Sequence, residues 1–152
     1  MIMLRGPKCD EAVELTDLCL RSKAVWGYDQ QFMEACRGEL TFTPADLQSQ
    51  RIQVAEANGC VIGVVEVALD GEEAELAKMF VEPASLRAGA GRKLFEWAKA
   101  TARASGATIM TIDADPGAAN FYRRMGAVDD GVVPSGSIPG RTLPRLLLRL
   151  RK

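Results

Sequence analysis

The residues best placed to do chemistry gather around one glycine turn. Gly89-Ala90-Gly91 follows an apolar, β-rich stretch ending near Pro83, and Arg87, Arg92 and Lys93 surround it. A strand that passes through glycines into a helix start leaves unpaired amides at the positive end of the helix dipole, an arrangement that suits an anion. Glycines let a phosphate come close to the backbone. A plain structural turn is the competing reading of the same residues. The turn is not a Walker loop, because no Gly-Lys-Ser/Thr follows. It is not a dinucleotide fingerprint either, because Leu94 stands where the third glycine would fall. The chain has no histidine, so the commonest general base, the Ser/His and Cys/His nucleophile systems and most zinc sites are excluded. Catalysis must run on carboxylates, tyrosine, lysine, water or backbone groups. Cys9, Cys19, Cys36 and Cys60 make no CxxC pair and no zinc spacing, so they read as small core hydrophobes in a reducing compartment, and no metal is expected.

The elements that must position this turn follow from periodicity. Ile2 to Arg5 predicts a short strand. Ala12, Leu15, Thr16, Cys19 and Leu20 share one helix face, and Gly27 marks the end of that helix. Asp29 to Cys36 predicts a second short helix, and Thr43-Pro44 a further helix start with Thr43 as cap. Ile52 to Glu56 and Val61 to Leu69 alternate as strands around Asn58-Gly59, a hairpin turn. Asp70-Gly71 turns the chain into a third strand, Ala74 to Glu82, stopped by Pro83. Leu94, Ala98, Thr101 and Ala102 then form one helix face, closed by Gly106. Ala107 to Ile112 is β-rich, Pro116 opens another helix that ends at Gly126, a strand begins near Ala127, and Leu143 to Leu150 is a terminal strand. This order predicts an α/β domain with a mixed sheet rather than a doubly wound parallel one.

The chain has 152 residues, enough for one domain with a core, and the expected domain spans 1–152. Hydrophobic residues make up 47% and charged residues 26%, which places it among globular rather than disordered chains. A net charge of −1 offers no general attraction for nucleic acid or an anionic membrane. Arg141, Arg145, Arg149, Arg151 and Lys152 make the C-terminal end locally basic, which reads as a solvated strand edge. No apolar run reaches transmembrane length, and Met1 to Leu4 is too short for a signal peptide, so a cytoplasmic location is expected.

Two segments together carry a family resemblance. Met79-Phe80-Val81-Glu82-Pro83-Ala84-Ser85-Leu86-Arg87-Ala88-Gly89-Ala90-Gly91-Arg92 resembles motif A of the GCN5-related N-acetyltransferase (GNAT) superfamily: Val-x-Pro, a short gap, then Gln/Arg-x-x-Gly-x-Gly/Ala. Asp115-Pro116-Gly117-Ala118-Ala119-Asn120-Phe121-Tyr122-Arg123-Arg124-Met125-Gly126-Ala127 resembles motif B, with its Phe-Tyr-x-x-x-Gly ending. The resemblance covers at least Gly59 to Val128. Arg21 to Tyr28 and Pro134 to Arg141 look like segments of a bacterial branch of the family. Leu86 departs from the pattern, standing where motif A has Gln or Arg. That weakens one pyrophosphate contact, whereas backbone amides do not depend on side-chain identity.

The resemblance implies a mixed, mostly antiparallel sheet of six to seven strands with a central parallel, splayed pair and about four flanking helices. It implies acetyl-coenzyme A (acetyl-CoA) as co-substrate and a primary amine, on a small molecule or a protein, as acceptor. Met79, Phe80 and Val81 would meet the pantetheine arm and the thioester, and Arg87, Ala88, Gly89, Ala90, Gly91 and Arg92 the pyrophosphate. Asn120 would hydrogen-bond the pantetheine. Tyr122 resembles the family's general acid to the departing thiolate, and an ordinary phenol is basic enough for that exchange. Its alternative is a buried packing tyrosine. For the base, strand alternation puts Glu75 on the face of Ala77, Met79 and Val81. Glu66, Glu82 and a water chain are alternatives, as is a merely solvated Glu75. Lys23, Trp26, Tyr28 and Arg141 are the acceptor-side candidates: the aromatics to stack, the cations to hold a carboxylate. The Val133 to Leu143 loop, rich in serine, glycine and proline, is expected to close over the acceptor. A homodimer through the C-terminal strands is expected. A non-catalytic acyl-CoA-binding protein or sensor on the same fold is the competing function, and an unrelated phosphate-binding protein the third.

Overall fold

A computed structural model describes residues 1–150; Arg151 and Lys152, two of the residues expected to make the C-terminal end basic, lie outside the described residues. Seven strands form one sheet: β1 (Ile2–Arg5), β2 (Ile52–Ala57), β3 (Cys60–Asp70), β4 (Glu73–Val81), β5 (Ile109–Asp113), β6 (Val128–Pro134) and β7 (Thr142–Arg149), in the order β1-β2-β3-β4-β5-β7-β6. Every pairing is antiparallel except β4 with β5, as the mixed sheet required. Four α-helices flank it: α1 (Ala12–Ala24), α2 (Gln30–Leu40), α3 (Ala90–Ala104) and α4 (Ala119–Arg124). Where Thr43 is expected to cap a helix, one 3-10 turn, Asp46–Gln48, forms with Ala45 at its cap position, and Thr43 exchanges hydrogen bonds with Asp46 ahead of it (Thr43 N–H to Asp46 Oδ2, 2.8 Å; Asp46 N–H to Thr43 Oγ1, 3.2 Å).

Each sheet face has its own core. Leu15, Leu18 and Cys19 of α1 and Cys36 and Leu40 of α2 bury Ile52, Val54 and Val64 on one side. Leu94, Phe95, Ala98 and Ala102 of α3, with Ala119 and Tyr122 of α4, bury Val65, Leu76, Met110, Ile112, Leu146 and Leu148 on the other. The apolar stripe of α3, repeating every three or four residues, is what lays that helix flat on the strands.

Two irregularities shape the site. Parallel pairing of β4 with β5 is confined to Glu73, Glu75 and the residue between them, against Ile109 to Thr111. Beyond that, β4 follows β3 to Val81 while β5 follows β7 to Asp113, so the two strands part and open a gap. The second is a bulge: Glu66 pairs with Lys78 but Val67 with Leu76, leaving Ala77 unpaired. An extra residue reverses the alternation of everything after it. Leu76 and Met79, three apart, therefore both reach the α3 core, while Phe80 packs on the α1–α2 side.

Candidate active site

The gap between β4 and β5 widens into a cleft of about 1140 Å³. Its floor is Leu76 to Val81 of β4 and Ile112 and Asp113 of β5. One end is the glycine turn, with Leu86, Arg87, Gly89, Gly91 and Arg92, and α4 contributes Asn120, Phe121, Tyr122 and Arg124. Gly89 is the residue before α3 and has φ +93°, a left-handed conformation that L side chains rarely adopt. A Cβ there would meet nothing within 4 Å, so the turn faces open space. Of the residues expected to hold the cofactor, Met79, Phe80, Val81, Arg87, Gly89, Gly91, Arg92 and Asn120 line the cleft. Ala90 is fully buried at the start of α3, and Ala88 lines a separate hollow beside Ser85 and Lys93. Leu86 is half exposed at the cleft wall. Asn120 Oδ1 accepts from Arg123, so its NH₂ group is the part left to face a ligand.

Tyr122 is packed between Phe95 and Phe121, with ring centroids 5.7 and 5.3 Å away. It is 6% exposed, and burial alone pushes its phenol above the ordinary tyrosine range. The hydroxyl makes no hydrogen bond among the described residues, yet it is not a sealed-off polar atom, because the side chain lines the cleft. It is a neutral phenol whose remaining contact is whatever enters the gap.

The acceptor-side candidates converge on Asp115, the first residue of the segment that resembles motif B. Asp115 Oδ2 accepts from Lys23 Nζ (3.2 Å) and Tyr28 Oη (2.8 Å), and Oδ1 from the Gly117 amide (3.0 Å). Arg141 donates to Tyr28 Oη at 2.6 Å and lies 3.8 Å from Asp115. Its guanidinium also sits over the Tyr28 and Phe32 rings, which are stacked 4.0 Å apart. Burial tends to raise the Asp115 carboxyl, but the hydrogen bonds from Tyr28 and the Gly117 amide, with the Lys23 charge, hold it below the usual carboxylate range. Lys23 and Trp26 line the cleft; Tyr28 and Arg141 stand behind it and brace Asp115. Both cations are therefore already engaged by a carboxylate of the chain itself. Trp26 lies directly on Gly117, where a Cβ would fall 2.7 Å from its ring.

The loop between β6 and β7 is docked rather than standing open. Ser137 Oγ donates to Cys36 Sγ, Ile138 packs into the α1–α2 core, and the Ser135 amide closes the neck on the Arg141 carbonyl at 2.8 Å.

Glu75 is not brought to the cleft. The bulge at Ala77 puts it on the face opposite Met79 and Val81, exposed and beside Thr111 in the paired part of the sheet. Glu66 is paired with Lys78 (3.2 Å) and Glu82 with Arg21 (3.1 Å). The carboxylates that do line the cleft are Glu39, Asp113 and Asp115. Asp115 had a detectable signal, since Asp-Pro-Gly before a helix is an Asx-turn sequence; Glu39 had none. No cluster of three or more potential metal ligands occurs among the described residues, and no helix there is long and apolar enough to cross a membrane.

This geometry agrees with what the chain is similar to. Residues 48–126 match the model of the acetyltransferase (GNAT) domain, and the chain belongs to that family. PaiA N-acetyltransferase from Thermoplasma acidophilum, in complex with coenzyme A, superposes with a TM-score of 0.80 at 17% identity, covering 98% of this chain and 99% of that one. YncA from Salmonella typhimurium, with its cofactor acetyl-CoA, gives 0.69 at 21% over 100% of this chain and 95% of its own. The ribosomal-protein-S18-alanine N-acetyltransferase from Escherichia coli gives 0.70 at 17% over 100% and 96%. At these identities the likeness is one of fold. No curated protein matches the chain in sequence.

Proposed function

We propose that residues 1–152 form one N-acetyltransferase domain that moves an acetyl group from acetyl-CoA to a primary amine by direct attack. The observation that carries this reading is the lone Tyr122 hydroxyl on the wall of the gap where β4 and β5 part. The cleft suits an elongated ligand that is anionic at one end: cations Arg87 and Arg92 flank the open Gly89 turn, and apolar Met79, Val81 and Phe121 follow. PaiA with coenzyme A and YncA with acetyl-CoA show that relatives of this fold take such a ligand.

In this mechanism the Arg87 to Arg92 amides and side chains hold the pyrophosphate at the start of α3. Free backbone groups of β4 at Met79 and Val81 pair with the pantetheine amides as an added strand would. An amide near Phe80 polarises the thioester carbonyl. Tyr122, kept neutral by burial, gives its proton to the departing sulfur. Trp26 forms part of the acceptor wall.

Two measurements test the reading in sequence. Calorimetric titration with acetyl-CoA should show saturable binding, and its absence would sink both the enzymatic reading and a sensor on the same fold. Thiol release with a panel of amines should then reveal turnover. Binding without turnover of any amine would favour the non-catalytic alternative.

A further inference from the structure

We propose that Glu39 is the carboxylate that receives the acceptor's ammonium group and takes the proton released as the amide forms. This rests on the acetyltransferase reading above. Among the described residues three carboxylates line the cleft, and two are committed elsewhere. Asp113 is gripped twice by Arg145, at 2.7 and 3.1 Å. Asp115 is held by Lys23, Tyr28 and the Gly117 amide. Glu39 has neither an ion pair nor a hydrogen bond among the described residues, and it is exposed to solvent.

Its position is built rather than incidental. Glu39 lies in the last turn of α2, where the negative end of the helix dipole adds to its own charge, so both favour a cation. The next residue, Leu40, is buried in the α1–α2 core and fixes that turn. The docked β6–β7 loop packs against the carboxylate from the other side: a Cβ on Gly136 would stand 2.7 Å from Oε1. A cleft carboxylate set between the end of α2 and the β6–β7 loop is carried by elements other than the cationic Gly89 turn, which places it on the acceptor side.

At neutral pH an alkylamine arrives as ammonium, which complements this charge. It loses one proton through Glu39 to water. The nitrogen lone pair then attacks the thioester carbonyl carbon; the C–N bond forms and the C–S bond breaks. The sulfur leaves with its electron pair and takes the Tyr122 proton, while the second nitrogen proton passes to Glu39. Solvent restores both side chains.

The test uses amine-dependent thiol release and acetyl-CoA calorimetry on the full chain, with melting curves as a folding control. Glu39→Gln is expected to lower kcat/KM for the amine by about 100-fold or more, with acetyl-CoA affinity unchanged. Glu39→Asp should recover part of the loss. Gly136→Ala, which must push the carboxylate aside, should lower kcat/KM by a smaller factor while leaving Glu39 in the chain. Glu39→Gln within about twofold of wild type would overturn the assignment and leave the acetyltransferase reading standing. Equal losses in acetyl-CoA binding and in turnover would also overturn it, as a structural role. A wild type that binds acetyl-CoA but acetylates no amine would overturn both readings.

Discussion

A leaving-group acid must hold its proton until sulfur needs it, and Tyr122 meets that condition through burial rather than through a partner. Phe95 and Phe121 enclose the ring, and among the described residues no charge or hydrogen bond offsets the lost hydration. Since the phenol is raised above its ordinary value near 10, it stays protonated across the working range. Tyr122→Phe should therefore lower kcat by about 100-fold with acetyl-CoA affinity unchanged, read by thiol release and calorimetry. Equal turnover by both forms would show that the departing thiolate needs no acid. Tyr122 was visible in the sequence because its neighbours Phe121 and Gly126 fix its place in a local motif. The bond between Tyr28 and Arg141 and their shared hold on Asp115 were not, because the two are separated by 113 residues and only the fold brings them together. Asp115→Ala would leave Lys23 and Arg141, both mostly buried, facing each other without a counter-charge. The expected cost is about 2 kcal/mol, measured as a lower urea midpoint.

At the scale of elements, strand periodicity placed β4 correctly and gave the wrong face for Glu75. A single unpaired residue, Ala77, separates the two outcomes. Bulges depend on how neighbouring strands pair, and alternation within one strand carries no record of that. The contacts of the β6–β7 loop are likewise set by the fold: Ser137 bonds Cys36 of α2 and Ile138 packs on the α1–α2 core. Helix α1 and the turn before α4 meet through Trp26 and Gly117, whose contact leaves no room for a methyl group. Gly117→Ala should displace the indole, cost about 1–3 kcal/mol in urea unfolding and raise KM for the amine more than it lowers kcat. Trp26 and Trp97 are the chain's two tryptophans, so a changed emission maximum would report the movement directly. Unchanged fluorescence and kinetics would show that Trp26 plays no part in the acceptor wall.

On the scale of the whole molecule, one sheet separates two cores, and the cleft opens where the sheet itself divides. That the sheet is mixed was legible, since the meander, the crossover through α3 and the terminal strands dictate it. Where it divides was legible only through the family resemblance, because parallel strands part for reasons of pairing that composition does not record. The β1 edge of the sheet is tied down by ion pairs as well as by apolar area. Arg5 of β1 grips Glu11, just before α1, at 2.7 Å, and Glu56 of β2 at 2.6 Å. The Arg5 hydrogen bond outweighs burial and holds the Glu11 carboxyl below its ordinary value, as the Tyr28 and Gly117 bonds do for Asp115 against the same opposing effect. A carboxyl with a depressed folded pKa binds its proton more weakly in the native state than in the unfolded chain. Its stabilisation is complete above the unfolded value, about 4, and disappears as pH falls through the lower folded value. The urea midpoint should therefore be nearly level from pH 7 down to about 5 and then decline steeply. Asp115→Asn should be less stable at pH 7 and lose less on acidification, because one depressed carboxyl has been removed while Glu11 and Asp129 remain. A parallel decline in wild type and variant would mean that Asp115 is not held below its ordinary range, and that Lys23 and Arg141 are balanced by something other than its charge.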